Sequence, residues 1–167
     1  IRQLLMDPDS LYMINRKLAE FGLSELTRVD FQEGEYKHLF DLLKKSLGQD
    51  EYEAIDYLEL KLSEISEIIE LPARRPSITS EDYDRLFKDR LRTILYMRRN
   101  NIEERLREIY YLQNDTEEKT YSSNEANVLY LDLIETRKKI DNALLSPVTG
   151  GSGRVTNIPG VYRSKRR

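Results

Sequence analysis

Between Thr79 and Tyr121 the chain holds neither proline nor glycine. Tyr83, Phe87, Leu91, Ile94, Leu95, Ile102, Leu106, Ile109 and Gln113 recur there mostly three or four apart, which lines them along one stripe of a helix. The spacing predicts one unusually long helix. Asn100-Asn101 is the place for a bend, and Asn114-Asp115-Thr116 offers an alternative end with a frayed stretch behind it. Ser122 and Glu125 then form a capping box that opens a final helix to about Leu145. Its expected stripe is Ala126, Leu129, Tyr130, Leu133, Ile134, Ile140 and Leu144. Long helix, polar turn and amphipathic helix make an antiparallel hairpin. Two helices alone bury little, so the hairpin needs the first half of the chain, a second copy or a partner.

The first half reads as a small bundle. Asp7-Pro8 is a helix start, with an acceptor at the N-cap and proline at the first helical position. Leu11, Ile14, Leu18 and Phe21 follow, and Gly22 is placed to end that helix. Leu23 to Glu33 reads as a connector, with Phe31 pinned into the core. A second helix is expected from about Gly34 to Leu47, with Tyr36, Leu39, Phe40 and Leu43 on one face and Gly48 as its stop. Asp50 with Glu53 resembles a capping box for a third helix carrying Ile55, Leu58 and Leu62. Ser63 to Leu71 looks like a fourth, closed off by Pro72 and Pro76. No strand pattern and no internal repeat occur. The expected fold is all-α: a small helical bundle, then a long helix leading into an antiparallel helical hairpin.

Residues 146–167 change character. They hold four of the seven glycines, no acidic residue, and Arg154, Arg163, Lys165, Arg166 and Arg167. We expect a disordered basic tail there. Removing its five positive charges from the net of -3 leaves -8 on the rest. The chain opens at Ile1 in a segment that already reads helical, so a piece of a longer protein is expected.

Composition excludes much chemistry. Zero cysteines exclude thiolate zinc sites, disulfides and cysteine nucleophiles within this stretch, and a reduced compartment is expected. His38 is the only histidine, which excludes multi-histidine metal sites and a Ser-His-Asp triad. Thr149-Gly150-Gly151-Ser152-Gly153-Arg154 lacks the lysine, the preceding strand and the following helix of a phosphate-binding loop, and reads as linker. Asp50, Glu51, Glu53, Asp56 and Glu59 read as the solvated side of a helix. No catalytic or metal-ligating set emerges.

Two features remain. Arg85, Lys88, Arg90, Arg92, Arg98 and Arg99 face one acid, Asp89, within a single stretch. Arg85, Lys88, Arg92, Arg98 and Arg99 are a candidate charged docking face, unless they are solvated or paired within the fold. Tyr110-Tyr111-Leu112 and Val128-Leu129-Tyr130-Leu131 also place apolar residues on more than one helix face. Tyr111, Leu112, Val128 and Leu131 exceed what one core stripe needs. They are either covered by the first half or form a partner-binding face.

These residues together carry a resemblance. Leu4-Leu5-Met6-Asp7-Pro8, then Leu11, Asn15, Leu18 and Gly22-Leu23, then Asp30-Phe31 and Leu39-Phe40-Asp41-Leu42-Leu43 resemble the C-terminal helical module of bacterial replicative DNA primases. A diverged form of that module is the N-terminal domain of the replicative helicase. Leu91 and Leu95-Tyr96-Met97-Arg98, Arg105, Tyr111-Leu112-Gln113, then Leu133, Arg137 and Ile140-Asp141-Asn142-Ala143-Leu144 are similar to the primase ending in particular. The likeness covers about residues 1–145, and the tail has no counterpart in it.

The resemblance implies a non-catalytic domain that docks on the hexameric helicase and couples RNA primer synthesis to DNA unwinding. Residues 1–100 correspond to the helicase-stimulating bundle and 101–145 to the hairpin of attachment. The implied parent is a nucleotidyltransferase using zinc and magnesium, in domains this segment lacks; no cofactor is expected here. A cytoplasmic, membrane-free setting and at most weak nonspecific nucleic-acid contact through the tail complete the expectation. The alternatives are a self-associating helical scaffold and the related helicase domain itself.

Overall fold

The computed structural model describes residues 1–65, 79–114 and 123–150. Among them the elements are α1 (Arg2–Met6), α2 (Ser10–Glu20), a 3-10 turn (Arg28–Asp30), α3 (Gly34–Gly48), α4 (Ala54–Ile65), α5 (Ser80–Asn114), α6 (Ser123–Leu145) and a second 3-10 turn (Pro147–Thr149). The described residues contain no strand. The fold is all-helical.

Asp7 does not cap α2 with its side chain. Its main-chain carbonyl accepts from the amide and the hydroxyl of Ser10, at 3.1 and 2.6 Å. Its carboxylate turns inward instead, to the guanidinium of Arg90 on α5, 83 residues away. Both side chains are nearly buried, and each offsets the desolvation of the other. The far end of α2 follows the sequence. Gly22 takes the left-handed conformation (φ 68°), the Leu23 amide reaches back to the Leu18 carbonyl (2.9 Å), and that of Gly22 to Ala19 (2.9 Å). This closes the helix and turns two buried leucines toward the core.

α3 spans the expected residues, buries Leu39, Phe40, Leu42 and Leu43, and leaves Tyr36 exposed. Phe31 stacks on Phe40 with ring centroids 5.2 Å apart. The start of α4 differs from the reading. Gln49, not Asp50, organises the turn: its amide oxygen accepts from the amides of Glu51 and Tyr52, and its nitrogen donates to the carbonyls of Ser46 and Tyr52. A glutamine carries both donor and acceptor, so one side chain serves both ends of the loop. α4 continues through Ser63, whose hydroxyl bonds back to the Leu60 carbonyl, so no new helix starts there. The rest of the expected fourth helix, from Ser66 on, lies outside the described residues.

α5 is a continuous helix of 35 residues, about 52 Å at 1.5 Å per residue. It passes Asn100-Asn101 without interruption and is helical through Asn114; residues 115–122, over which its two expected ends differ, lie outside the described residues. Phe87, Leu91 and Leu95 form a wall of the bundle core with Leu11, Leu18, Leu43 and Leu58. Ile102 and Ile109 carry the same core into the hairpin, where Leu133, Ile140 and Ala143 of α6 meet them. One helix thus serves both lobes.

Residues 146–150, expected to open the tail, form a defined turn. Ser146 caps the Pro147–Thr149 turn, Gly150 takes a left-handed conformation (φ 76°), and Thr149 is 2% exposed. The Thr149 hydroxyl lies 2.8 Å from the Ala143 carbonyl and 2.9 Å from that of Ser146. Residues 146–150 are a helix terminus packed on α5 and α6, and not part of a disordered tail. Residues 151–167, the remainder of that tail, lie outside the described residues.

Candidate interaction surface

Four charged side chains mark the hairpin register. Arg99 contacts Asp141 at 2.9 Å and Glu103 at 3.5 Å, while Arg137 contacts Glu103 at 3.2 Å and Asp141 at 3.9 Å. The Arg99 Nε–H does not point at the Asp141 oxygen, so that contact is Coulombic and not a hydrogen bond. Pairing 99 with 141 and 103 with 137 in antiparallel helices brings 110 level with 130.

The seam is narrower than the sequence stripe. Ala126, Leu133, Ile140 and Ala143 are buried against α5, but Leu129 and Tyr130 are 45% and 40% exposed. Among the described residues a single helix pair is present at this end, and its one contact line does not cover both. The expected surface residues are exposed: Tyr111, Val128 and Leu131 are each about two-thirds or more accessible. The Leu112 side chain lies outside the described residues, as does the Ser122–Glu125 capping box.

These residues do not form one flat patch. Leu131 stands two positions from buried Leu133 and Tyr111 two from buried Ile109, a turn of about 200° in each helix. Leu131 therefore faces away from α5, and Tyr111 faces away from α6. Val128 and Leu131, three apart, share the outer side of α6. Tyr110, absent from the expected surface, is 63% exposed and packs edge-on against Tyr111, with centroids 5.9 Å apart. The signal for this broad exposure is the unbroken run Val128-Leu129-Tyr130-Leu131, which no single helix face absorbs. Beside it, Lys139 bonds Glu135 (2.9 Å) and holds that carboxyl below its ordinary range.

The basic cluster resolves differently. Arg98 is buried, with Nε and Nη2 on the two Asp30 oxygens (2.7 and 2.8 Å) and further bonds to the Ser24 and Glu25 carbonyls. Arg90 is committed to Asp7 and Arg99 to the hairpin clamp. Arg92 lies over the Tyr96 ring, 5.6 Å from its centroid. Arg85 and Lys88 are exposed, on a surface shared with Glu81, Asp84 and Asp89. Three of the six cations are thus held inside the fold, and two of the others sit among carboxylates. No strongly positive face results.

The acidic residues Asp50, Glu51, Glu53, Asp56 and Glu59 are exposed, as a solvated helix side requires. His38 is exposed on α3. Among the described residues no group of His, Cys, Asp and Glu is placed to hold a metal ion, and no helix is long and apolar enough to cross a membrane. Comparison with family models, with curated proteins and with solved structures finds no match to this chain.

Proposed function

We propose that this chain is the helicase-docking domain of a bacterial replicative DNA primase, a protein-interaction module that attaches primer synthesis to the unwinding machine. The observation that carries the reading is the exposed run Val128-Leu129-Tyr130-Leu131 on a two-helix element, with Tyr110 and Tyr111 on the opposite arm. Four consecutive exposed residues mean that, among the described residues, α6 has a neighbour on one side only here. Apolar surface in that arrangement suits packing against helices of another protein. The sequence resemblance supplies the identity of that protein, a hexameric replicative helicase.

The test is sedimentation velocity of the chain with and without the purified replicative helicase encoded by the same genome. Docking predicts a chain that runs as a monomer alone and co-sediments with the hexamer when mixed. A chain that stays at monomer rate beside the helicase contradicts the proposal. A second reading, self-association through the hairpin, is favoured by Tyr110 and Tyr130, which lie level and on one side of the hairpin. It predicts a dimer in the absence of helicase.

A further inference from the structure

We infer that the cleft where bundle and hairpin meet is part of the docking surface, a slot for an amphipathic helix of the partner. The inference rests on the helicase-docking reading and deepens it, because it makes the bundle a direct contributor to attachment. The cleft encloses about 300 Å³ between the Leu23–Asp30 connector, α5 and α6. Ile102 and Leu133, each less than a tenth exposed, form its floor, and its accessible apolar edge is Val29. Val29, Arg105 and Asp132 stand exposed around them.

Val29 is the unusual member. It is 66% exposed, yet both its neighbours are fixed: Arg28 to Asp41 of α3 (3.3 Å) and Asp30 to Arg98 of α5. An apolar side chain presented from a rigid turn loses little conformational freedom on binding, which favours its use as a contact.

The charges choose the occupant. Arg105 projects from the α5 wall and Asp132 from the α6 wall, and neither has an ion-pair partner among the described residues. Opposite charges on opposite walls, with Val29 as the accessible apolar contact, complement a segment with a central apolar side chain, a carboxylate on the α5 flank and a cation on the α6 flank. A helix meets that requirement, because residues three and four apart share a face and flank it with the others. The slot also continues toward the hairpin tip. Leu129, 45% exposed, lies one turn beyond Leu133 on the same side of α6. From Thr136 to Leu129 the track is about 10 Å long, two turns of a helix.

The experiment titrates fluorescently labelled chain with the hexameric replicative helicase and follows anisotropy, with folding checked by circular dichroism. Val29→Asp and Arg105→Glu alter exposed side chains, so the variants keep the fold. Each is expected to weaken binding by about tenfold or more, and Arg105→Lys is expected to bind within about threefold of the parent. If both variants bind like the parent while Leu131→Asp binds weakly, the slot is not part of the interface and the hairpin reading survives. A parent chain that does not bind removes both proposals. If the chain alone is a dimer and Val29→Asp makes it monomeric, the occupant is a second copy, and the inference is overturned.

Discussion

Asp30 and Arg98, 68 residues apart, face each other with both carboxylate oxygens on one guanidinium, at 2.7 and 2.8 Å. The same guanidinium donates to the carbonyls of Ser24 and Glu25, each at 2.6 Å. Asp30 also accepts from the Thr27 amide (2.7 Å), and its carbonyl accepts from the Asn101 side chain (2.8 Å). One arginine thus fixes a connector of the bundle onto the helix that becomes the hairpin. Arg98→Met leaves a carboxylate and two carbonyls short of donors and should cost about 3–5 kcal/mol. Arg98→Lys should also destabilise, because an ammonium cannot reproduce the planar fork. Urea unfolding of both variants checks this, and a loss near zero in the Met variant would contradict it.

The Asp7–Arg90 pair makes a sharper test, because two roles for Asp7 predict different results. Serine is as good an N-cap as aspartate. If Asp7 acted as a cap, Asp7→Ser would be nearly neutral. With its carboxylate against Arg90, the same change strands a nearly buried guanidinium and should cost about 3 kcal/mol or more. Thermal unfolding of Asp7→Ser distinguishes the two.

Truncation at two points separates the ordered terminus from the basic residues beyond it. A chain ending at Leu145 loses the buried Thr149 and its bonds to the α6 carbonyls, so its Tm should fall. A chain ending at Gly150 keeps the cap and should melt close to the parent. Thr149→Val, which removes only the hydroxyl, should cost about 1 kcal/mol. Equal melting of both truncated chains would mean that the terminus contributes nothing.

Gly22 closes α2 at φ 68°, with only the far part of the Lys139 side chain, 4.0 Å away, near an added Cβ. Gly22→Ala therefore meets no clash, and its penalty is the backbone conformation alone, about 1 kcal/mol. A neutral substitution, measured by chemical denaturation, would indicate that the turn relaxes.

Much of the fold was legible because local chemistry decided it. The absence of proline and glycine after Thr79 sufficed for α5, and Gly22 for the end of α2. What escaped depended on residues distant in sequence. Asp7 reads as a cap until Arg90 is brought beside it, and Arg98 reads as a surface charge until Asp30 and two carbonyls surround it. Thr149 sits in a glycine-rich run that reads as linker, and its burial is evident only once α6 has somewhere to end. At the candidate surface, the apolar run Val128 to Leu131 was visible. Periodicity puts Leu129 and Tyr130 in the seam, because it gives a helix face and not how much of it a partner helix covers.

The proposed docking on the replicative helicase places the contact on the outer side of the hairpin. Leu131 and Leu133 stand two residues apart and point in opposite directions, one 66% exposed and the other 7%. The decisive measurement is a helicase titration of Leu131→Asp beside the parent chain, with Leu133→Asp as the folding control. Leu131→Asp should keep the parent circular dichroism spectrum and weaken binding by roughly 2 kcal/mol, about thirtyfold. Leu133→Asp should disrupt the hairpin itself, since it places a charge in the seam. A folded Leu131→Asp chain that binds the helicase as tightly as the parent would remove the outer side of the hairpin from the interface.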